Sequence, residues 1–418
     1  MPSDSPDLPV VVVGAGLAGL ACARAVEARG RRALVLEAGD DVGGRVRTDE
    51  VDGFRLDRGF QVLLTAYPET TAALDYDALD LRPFFPGALV RRGAGFVRVA
   101  DPRRRPLDAF GALRSGVARP ADAAALLRLL LRARAGGLDD LFARPERSAA
   151  TLLRDAGVSE RLIDAFFRPF LGGITLDAGL GVSSRVVEFV LRMFAAGATA
   201  VPARGMGEIP RQLTAGLDVR LGAEVVRVDG DGVRLRGGER VPAAATVVAT
   251  DGPAAARLLE GLPDPGSAPV TCVYLSAPES PVGGPLLVLD GEGGGPVNNL
   301  AVMSDVSEAY APAGRALVSV SVLGPPDPDD ERLLHGVRAH LRGWYGGDVD
   351  RWAHLRTYRI DHAQPAQPPG TIDPAQRPLR RSDRVWVCGD HRTDASLNGA
   401  LAGGRRCGEE VAVALREL

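Results

Sequence analysis

The 418-residue chain has no lysine: all 50 of its basic residues are arginine. They are balanced by 53 Asp and Glu, for a net charge of −3. A chain so balanced carries no basic field for nucleic acid. GC-rich codon usage accounts for the missing lysine, in keeping with the many Ala, Gly and Pro, yet it also removes an amine that chemistry can use. Aromatic residues make up 5% of the chain, leaving few rings to hold a cation by its π face. The four cysteines (Cys22, Cys272, Cys388, Cys407) lie far apart and form no Cys-x-x-Cys pair. That spacing is neither a zinc motif nor a disulfide framework, and it suits a reducing cytosol. No stretch of 18 uninterrupted apolar residues occurs, so no membrane span is expected. Met1–Pro9 is polar and holds Asp4 and Asp7, unlike the basic start of a signal peptide. A cytoplasmic globular protein of two interleaved domains is expected.

What the chain has begins with Val10–Val13 followed by Gly14-Ala15-Gly16-Leu17-Ala18-Gly19. This is a buried strand, a G-x-G-x-x-G turn and a helix running to Arg29, with a second strand over Arg32–Leu36. The first glycine allows the tight turn, the second lets a pyrophosphate approach the backbone, and the third lets helix pack on strand. The helix N-terminus then faces the phosphates. Glu37, with Ala38 beside it, ends the second strand where a carboxylate can accept both ribose hydroxyls of a dinucleotide. Gly43-Gly44-Arg45 follows; the glycines permit a second close approach and the guanidinium fork matches phosphate oxygens. Near the far end, Cys388-Gly389-Asp390 closes a strand over Arg384–Cys388 and precedes a helix over Asn398–Leu415. Asp390 can accept a ribityl hydroxyl, and a helix N-terminus aimed at the N1–C2=O edge of a flavin raises its reduction potential. The clusters in this order narrow a dinucleotide site to FAD.

Between them the texture changes. Residues 51–100 mix short strands and turns, and Pro106 to about Ala196 is mostly helical. Helices are expected over Asp122–Arg134, from Thr151, over Ser159–Phe170 with Ser159 as N-cap, and over Ser183–Phe194. Val219–Val228 with Val233–Arg236 reads as a hairpin and Thr246–Thr250 as a buried strand. Pro269–Leu323 is strand-rich, Glu331–Trp344 is helical, and Pro365–Pro378 is a proline-rich connection. The leucine stripe Leu126, Leu127, Leu129, Leu130 and Leu131 reads first as core packing, with an apolar channel or peripheral membrane contact as the alternative. The Phe166–Phe170 cluster carries the same two readings.

The segments GAGLAGLACARAV, LEAGDDVGGRVRT, LDRGFQV, VPARGMGEIPRQL, AEVVRV, VVAT and VCGDHRTDASLNGALAGGRRCGEEV resemble those of the FAD-dependent amine oxidase superfamily, which includes protoporphyrinogen oxidases and phytoene-type desaturases. The resemblance runs from residue 10 to about 411. It implies an α/β fold: a doubly wound, Rossmann-like FAD domain from residues 1–80, 200–265 and 375–418. A mixed sheet-and-helix substrate domain would use 81–199 and 266–374, its helical part near 106–196. By position, Gly14 to Gly19 and Arg45 would hold pyrophosphate and Glu37 the adenosine ribose. Val225 would meet the adenine through its backbone, and Gly59-Phe60-Gln61 would run past the flavin ring. Asp390 would hold the ribityl chain and Leu397 the pyrimidine edge.

Two departures matter. Many amine oxidases place a lysine near flavin N5, and this chain has none. Many also carry an aromatic residue just before the final Gly-Ala, where Ser396 and Asn398 stand here. Both favour the desaturase-like branch. Neither Cys388 nor Cys407 sits where covalent attachment is expected, so noncovalent FAD is favoured.

Hydride transfer to a flavin needs alignment of a C–H bond more than it needs a side-chain base. Arg58, His391 and Arg392 are the candidates beside the ring, with His391 able to relay a proton if it titrates near neutrality. Asn298-Asn299 is a candidate for the substrate pocket or a turn; Tyr358, Arg359 and His362 are weaker choices. The expected activity is dehydrogenation of an apolar small molecule, with oxygen or another acceptor taking the electrons. The alternatives are an amine oxidase, a redox-neutral polyene isomerase, and a non-catalytic protein of the same fold that binds a lipidated partner.

Overall fold

The computed structural model describes residues 8–100, 104–105, 116–325, 327–372 and 377–417. The start of the expected helical stretch (106–115) and part of the proline-rich connection (373–376) lie outside these residues.

Four consecutive valines, Val10–Val13, are all buried. A strand buried on both faces belongs in the middle of a parallel sheet. It pairs in parallel with Ala33–Leu36 on one side and Ala245–Val248 on the other. The full six-stranded order is Asp218–Arg220, Ala33–Leu36, Val10–Val13, Ala245–Val248, Val385–Val387 and Arg380–Ser382, with the last strand antiparallel. The chain thus leaves the central strand in both directions, and the crevice above the strand ends at such a switch is where open α/β sheets bind ligands.

Helix Leu17–Ala28 leaves that crevice and packs along the closing helix Leu397–Glu417. The pair is close because Gly404 and Gly408 face it. A Cβ on Gly404 would lie 2.1 Å from the Ala18 carbonyl oxygen, and one on Gly408 would lie 2.4 Å from that of Cys22.

A seven-stranded sheet forms the second layer system, in the order Ala353–Pro365, Ser267–Ala277, Ala316–Leu323, Asn299–Val302, Leu287–Leu289, Gly87–Arg92 and Gly95–Ala100. Helix Asp330–Tyr345 buries Leu333, Val337, Leu341 and Trp344 against the sheet residues Val273, Leu275, Val318 and Val320. On the other side lies the helical region. Pro120–Arg134, Ala149–Asp155 and Ser184–Ala196 are helices, and Glu160–Thr175 runs as one helix through a π-turn at Ile163–Phe167. Ser148, Ser159 and Ser183 cap three of them through side-chain oxygens. The Phe166–Phe170 cluster packs inward, with Phe166 stacked on Phe170 at 5.1 Å and Phe167 buried.

Two local expectations change. Asp218–Arg220 joins the parallel sheet beside Ala33–Leu36 instead of the hairpin, which is Val225–Asp229 with Gly232–Leu235 plus a third strand, Arg240–Pro242. The leucine stripe splits: Leu129 is core, while Leu127 and Leu131 are 56% and 62% exposed. No helix among the described residues is long and apolar enough to cross a membrane.

Candidate active site

The loop from Val13 to Gly19 is shaped by what its glycines exclude. Gly14 has φ +104°, and a Cβ on Gly19 would lie 1.9 Å from the Gly14 carbonyl oxygen. Gly16 differs: it precedes the helix at φ −70°, and a Cβ there would meet nothing within 4 Å. Open space therefore lies against the Gly16 backbone, next to the N–H groups of the first helical turn.

Glu37 closes one end of this space. Its Oε2 accepts from Ala15 N–H at 2.7 Å and its Oε1 from Gly39 N–H at 2.8 Å. The Glu37 carbonyl oxygen accepts from Ala223 N–H, two residues before Val225, so the Val225 strand is drawn to the same end. Ala38 is exposed beside it. Gly43 and Gly44 turn at φ +107° and +59°, and Gly43 N–H donates to the Ala15 carbonyl oxygen at 2.8 Å. The second glycine turn therefore lies against the first loop, with Gly16 and Gly43 bridged in parallel.

Arg45 and Asp390, 345 residues apart, meet here. The Arg45 Nη2 donates to Asp390 Oδ2 at 2.7 Å while Nη1 donates to the Ala363 carbonyl oxygen at 2.9 Å. Asp390 follows Gly389 (φ +147°) at the end of the strand Val385–Val387. A cation and a carboxylate that read separately as phosphate and ribityl contacts are thus each other's partner in one crevice.

Around them are buried polar atoms without partners. Gln61 donates through Nε2 to the carbonyl oxygens of Arg45 (2.7 Å) and Arg58 (3.1 Å), yet its Oε1 has none. Both ring nitrogens of His391 lack partners as well. Such groups are costly to leave unmatched, and two beside one crevice mark it as a place for a polar ligand. Gly59 (φ +93°) sits against Ile360, and Phe60 packs edge-on to Phe84 at 6.1 Å.

Beneath this segment lies a polar network whose key residue, Asp57, was not singled out in the sequence. Asp57 Oδ1 accepts from Thr48 Oγ1 (2.6 Å) and Met206 N–H (2.9 Å), and Oδ2 accepts from Tyr310 (2.8 Å). Its carbonyl oxygen accepts from Tyr274 at 2.8 Å. Burial pushes the Asp57 pKa up to about 6 against the pull of these donors. The motif LDRG held the signal: an Asp closing an alternating strand, next to a turn.

A cavity of about 490 Å³ opens beside the turn that follows Asp390. Its walls come from Ile174–Ala178, helix Ser184–Ala196, the segment 364–368 and Asp394–Ser396. Most of the lining is apolar, with Val186, Phe189 and Val190 on one wall and Asp394 and Gln364 as polar points. Asp394 is buried, accepts from Ser396 Oγ, and has its pKa pushed up to about 6 by burial. Tyr67, stacked on Phe189 at 5.7 Å, also lines the cavity. Ser396, where an aromatic ring was sought, forms part of the wall. Leu397 is half-buried at the start of the closing helix, and Asn398 turns away to accept from Glu69 N–H.

Three candidates are corrected. His391 does not titrate near neutrality: burial pushes its pKa down to about 4. Arg58 is locked by Asp49 through paired bonds of 3.0 Å, and Asp49 also accepts from Tyr358 at 2.7 Å. Arg392 donates to the Pro378 carbonyl oxygen, with its pKa lowered to about 10 by burial and by Arg377 and Arg381. None of the three has the free, titratable group a proton relay needs. The asparagine pair is absent from the cavity wall. Asn298 braces the Pro169 carbonyl oxygen (2.9 Å) and Asn299 reaches Ser321, which ties the π-turned helix to the sheet. Arg359 pairs with Asp330, and His362 meets Ser267, a cavity residue, at 2.7 Å.

Residues 17–412 match the model of the flavin-containing amine oxidoreductase family. The chain belongs to that family. This flavin-containing amine oxidoreductase is therefore an FAD-dependent oxidoreductase, and the reading of it as a non-catalytic binder falls away. It is 30% identical to the coproporphyrinogen III oxidase of Propionibacterium freudenreichii over 487 aligned positions, 96% of this chain and 90% of that one. It is 50% identical to the putrescine oxidase of Kocuria rosea over 66 residues, 16% of this chain and 14% of the relative, so the match spans a small part of that protein. Among solved structures it resembles an oxidoreductase from Methanosarcina mazei (TM-score 0.73, 18% identity, 96% of this chain, 99% of that one). It also resembles the cyclohexylamine oxidase of Brevibacterium oxydans (TM-score 0.70, 20% identity, 99% of each chain). At such identities the likeness speaks for the fold.

Proposed function

We propose that this oxidoreductase dehydrogenates a largely apolar small molecule held in the 490 Å³ cavity. The observation that carries the reading is the cavity itself: a mostly apolar chamber with a wall, Asp394–Ser396, that begins four residues after Asp390 in the chain. FAD, when bound, supplies the hydride acceptor at N5, and oxygen or another acceptor takes the electrons on.

The residues fit the cofactor. Gly16, Leu17, Ala18 and Gly19 offer the backbone N–H groups of the helix start, with open space against Gly16, while Gly14 and Ala15 shape the loop through N–H bonds to Leu36 and Glu37. Glu37, held by two N–H groups, keeps lone pairs for ribose hydroxyls. Arg45 and Asp390 exchange part of their mutual pairing for phosphate and ribityl contacts, Gly44 and Gly389 giving close backbone approach beside them. Gln61 Oε1 gains a donor, and the turn Gly59-Phe60 and Leu397 flank the ring. Val225 presents its backbone to the adenine. The six-stranded sheet and the closing helix then form an FAD domain assembled from residues 1–80, 200–265 and 375–418, with the rest as the substrate domain. Noncovalent binding is supported by the burial of all four cysteines and their absence from the cavity wall. The chain's own task is to desolvate the substrate and align its C–H bond, since no side chain on the wall needs to remove a proton.

A second reading, oxidation of an amine, is favoured by one observation: Asp394, a buried carboxylate on the cavity wall, suits a cationic end. One experiment separates them. Anaerobic bleaching of bound flavin at about 450 nm is followed with panels of amines, porphyrinogens and carotenoid precursors. Bleaching by apolar polyenes or porphyrinogens supports the first reading; bleaching by amines alone refutes it. Turnover with product at unchanged oxidation level would place the enzyme among isomerases.

A further inference from the structure

Cys22, Cys388 and Cys407 take no part in the site described above, yet they meet. One lies on helix Leu17–Ala28, one follows the strand Val385–Val387, and one lies on helix Leu397–Glu417. All three are fully buried, and their Sγ atoms lie within 4.8 Å of one another. The close helix pairing brings them together: a Cβ on Gly408, next to Cys407, would lie 2.4 Å from the Cys22 carbonyl oxygen. Residues 22, 388 and 407 are remote enough in sequence that no spacing motif announces the group.

We propose that this trio is a capture site for a trivalent thiophilic centre, an arsenic(III) or antimony(III) hydroxide, bound by all three sulfurs. The number of sulfurs argues for three-coordination. A structural zinc site closes with four ligands, and among the described residues this group offers three. A disulfide requires sulfurs about 2 Å apart and leaves the third thiol out. Bonds of about 2.3 Å at the pyramidal angle of about 100° around a lone-pair-bearing As(III) place the sulfurs about 3.5 Å apart, so closure by up to about 1.3 Å from the 4.8 Å limit suffices.

Charge selects the valence. What acts on each thiol is burial and the other two thiols; among the described residues no cation figures among the influences on them. A monovalent or divalent metal on three thiolates would leave net negative charge in the core, at a cost of several kcal/mol. A trivalent centre leaves none. The step is As(OH)3 + 3 RSH → As(SR)3 + 3 H2O. Three As–O and three S–H bonds break, three As–S bonds and three O–H bonds form, and three waters leave without any change of oxidation state.

The test uses the full chain, reduced and anaerobic, with one equivalent of sodium arsenite. Native mass spectrometry is expected to show one arsenic bound with the loss of three hydrogens, and thiol counting after quenching in denaturant to show one remaining thiol, that of Cys272. Cys272→Ala leaves uptake unchanged, while Cys22→Ala, Cys388→Ala and Cys407→Ala each weaken it at least tenfold. Cys407→Val, which refills the volume without a thiol, replaces the alanine variant if that one fails to fold. Unchanged affinity in a folded trio variant overturns the proposal. So does absence of uptake by the FAD-free chain warmed to just below its melting midpoint. Arsenic is read by mass and flavin by absorbance, so this proposal and the FAD site assignment fail independently.

Discussion

Two glycines three residues apart make the sharpest test of the cofactor loop. At Gly19 an added methyl would lie 1.9 Å from the Gly14 carbonyl oxygen and 3.1 Å from its carbon. Backbone must move by about an ångström to admit it, and overpacking of this kind costs about 1–3 kcal/mol. Gly19→Ala therefore lowers the melting midpoint of the FAD-free chain by several degrees (about 2 °C per kcal/mol for a chain of this size). At Gly16 the same methyl meets nothing within 4 Å, and φ −70° suits alanine. The poorer N-cap costs about 0.5–1 kcal/mol, which the reduced freedom of the unfolded chain offsets by about 0.4–1 kcal/mol. The FAD-free Gly16→Ala chain thus melts with wild type. Its cofactor affinity falls, because a pyrophosphate pushed off this backbone loses charge-assisted hydrogen bonds worth about 1.5–3 kcal/mol each. One such bond corresponds to about tenfold to a hundredfold in Kd. Calorimetry of the FAD-free chains and titration of flavin fluorescence give the two numbers. If Gly16→Ala binds FAD with wild-type affinity, the pyrophosphate does not lie there and the loop assignment is wrong.

The other expectations can be checked with the same preparations. Glu37→Gln keeps one acceptor but turns an NH2 toward Ala15 or Gly39 N–H, and should weaken FAD binding at least tenfold; an unchanged Kd would remove Glu37 from the ribose. Asp57 has a folded pKa near 6, above the usual 3.8, so its stabilising share is present below about pH 4 and is lost as pH rises through 6. Asp57→Asn, in which Tyr310 can turn to accept, should flatten stability between pH 4 and 6 by about 1.4 kcal/mol per pH unit. An unaltered slope in urea melts across that window would refute the assignment. His391→Leu should leave the pH–rate profile between pH 6 and 8 as it is, because the imidazole is held neutral down to about pH 4; a lost limb in that profile would restore it as a proton relay. Asp394→Asn should raise KM for amines at least tenfold if amines are substrates and change it little for apolar substrates, measured by steady-state kinetics.

Much of the fold could be read locally. Val10–Gly19 carries its strand, turn and helix start within ten residues, and Ser159, read as an N-cap, caps its helix through its own side chain. What could not be read depends on partners far along the chain. Asp218–Arg220 is a three-residue strand whose sheet is decided by Ala33–Leu36, about 180 residues earlier in the sequence. Arg45 and Asp390 were both recognisable as binding groups, but nothing near either shows that they pair. Asn298-Asn299 looked like pocket polarity, whereas its amides satisfy helix and strand atoms. The cavity is assembled from at least five stretches of chain, none of which is a pocket motif. His391 was chosen for its ordinary pKa, and burial, which sequence does not display, takes it out of range together with the charges of Arg392 and Arg45.

The pairing of the first helix with the last has a consequence for biosynthesis. Val10–Val13 and Leu17–Ala28 leave the ribosome early, but their neighbours Ala245–Val248, Val385–Val387 and Leu397–Glu417 are made much later. Until residue 417 or so has emerged, the nucleotide loop lacks the helix that buries Ala18 and Cys22, and Arg45 lacks Asp390. Nascent chains would therefore expose an apolar βαβ fragment while the residues between it and these neighbours are made, a state open to chaperones and to aggregation. The crevice is complete only when Arg45 and Asp390, 345 residues apart, have met, and FAD bound there would add to the stability of the folded chain by mass action.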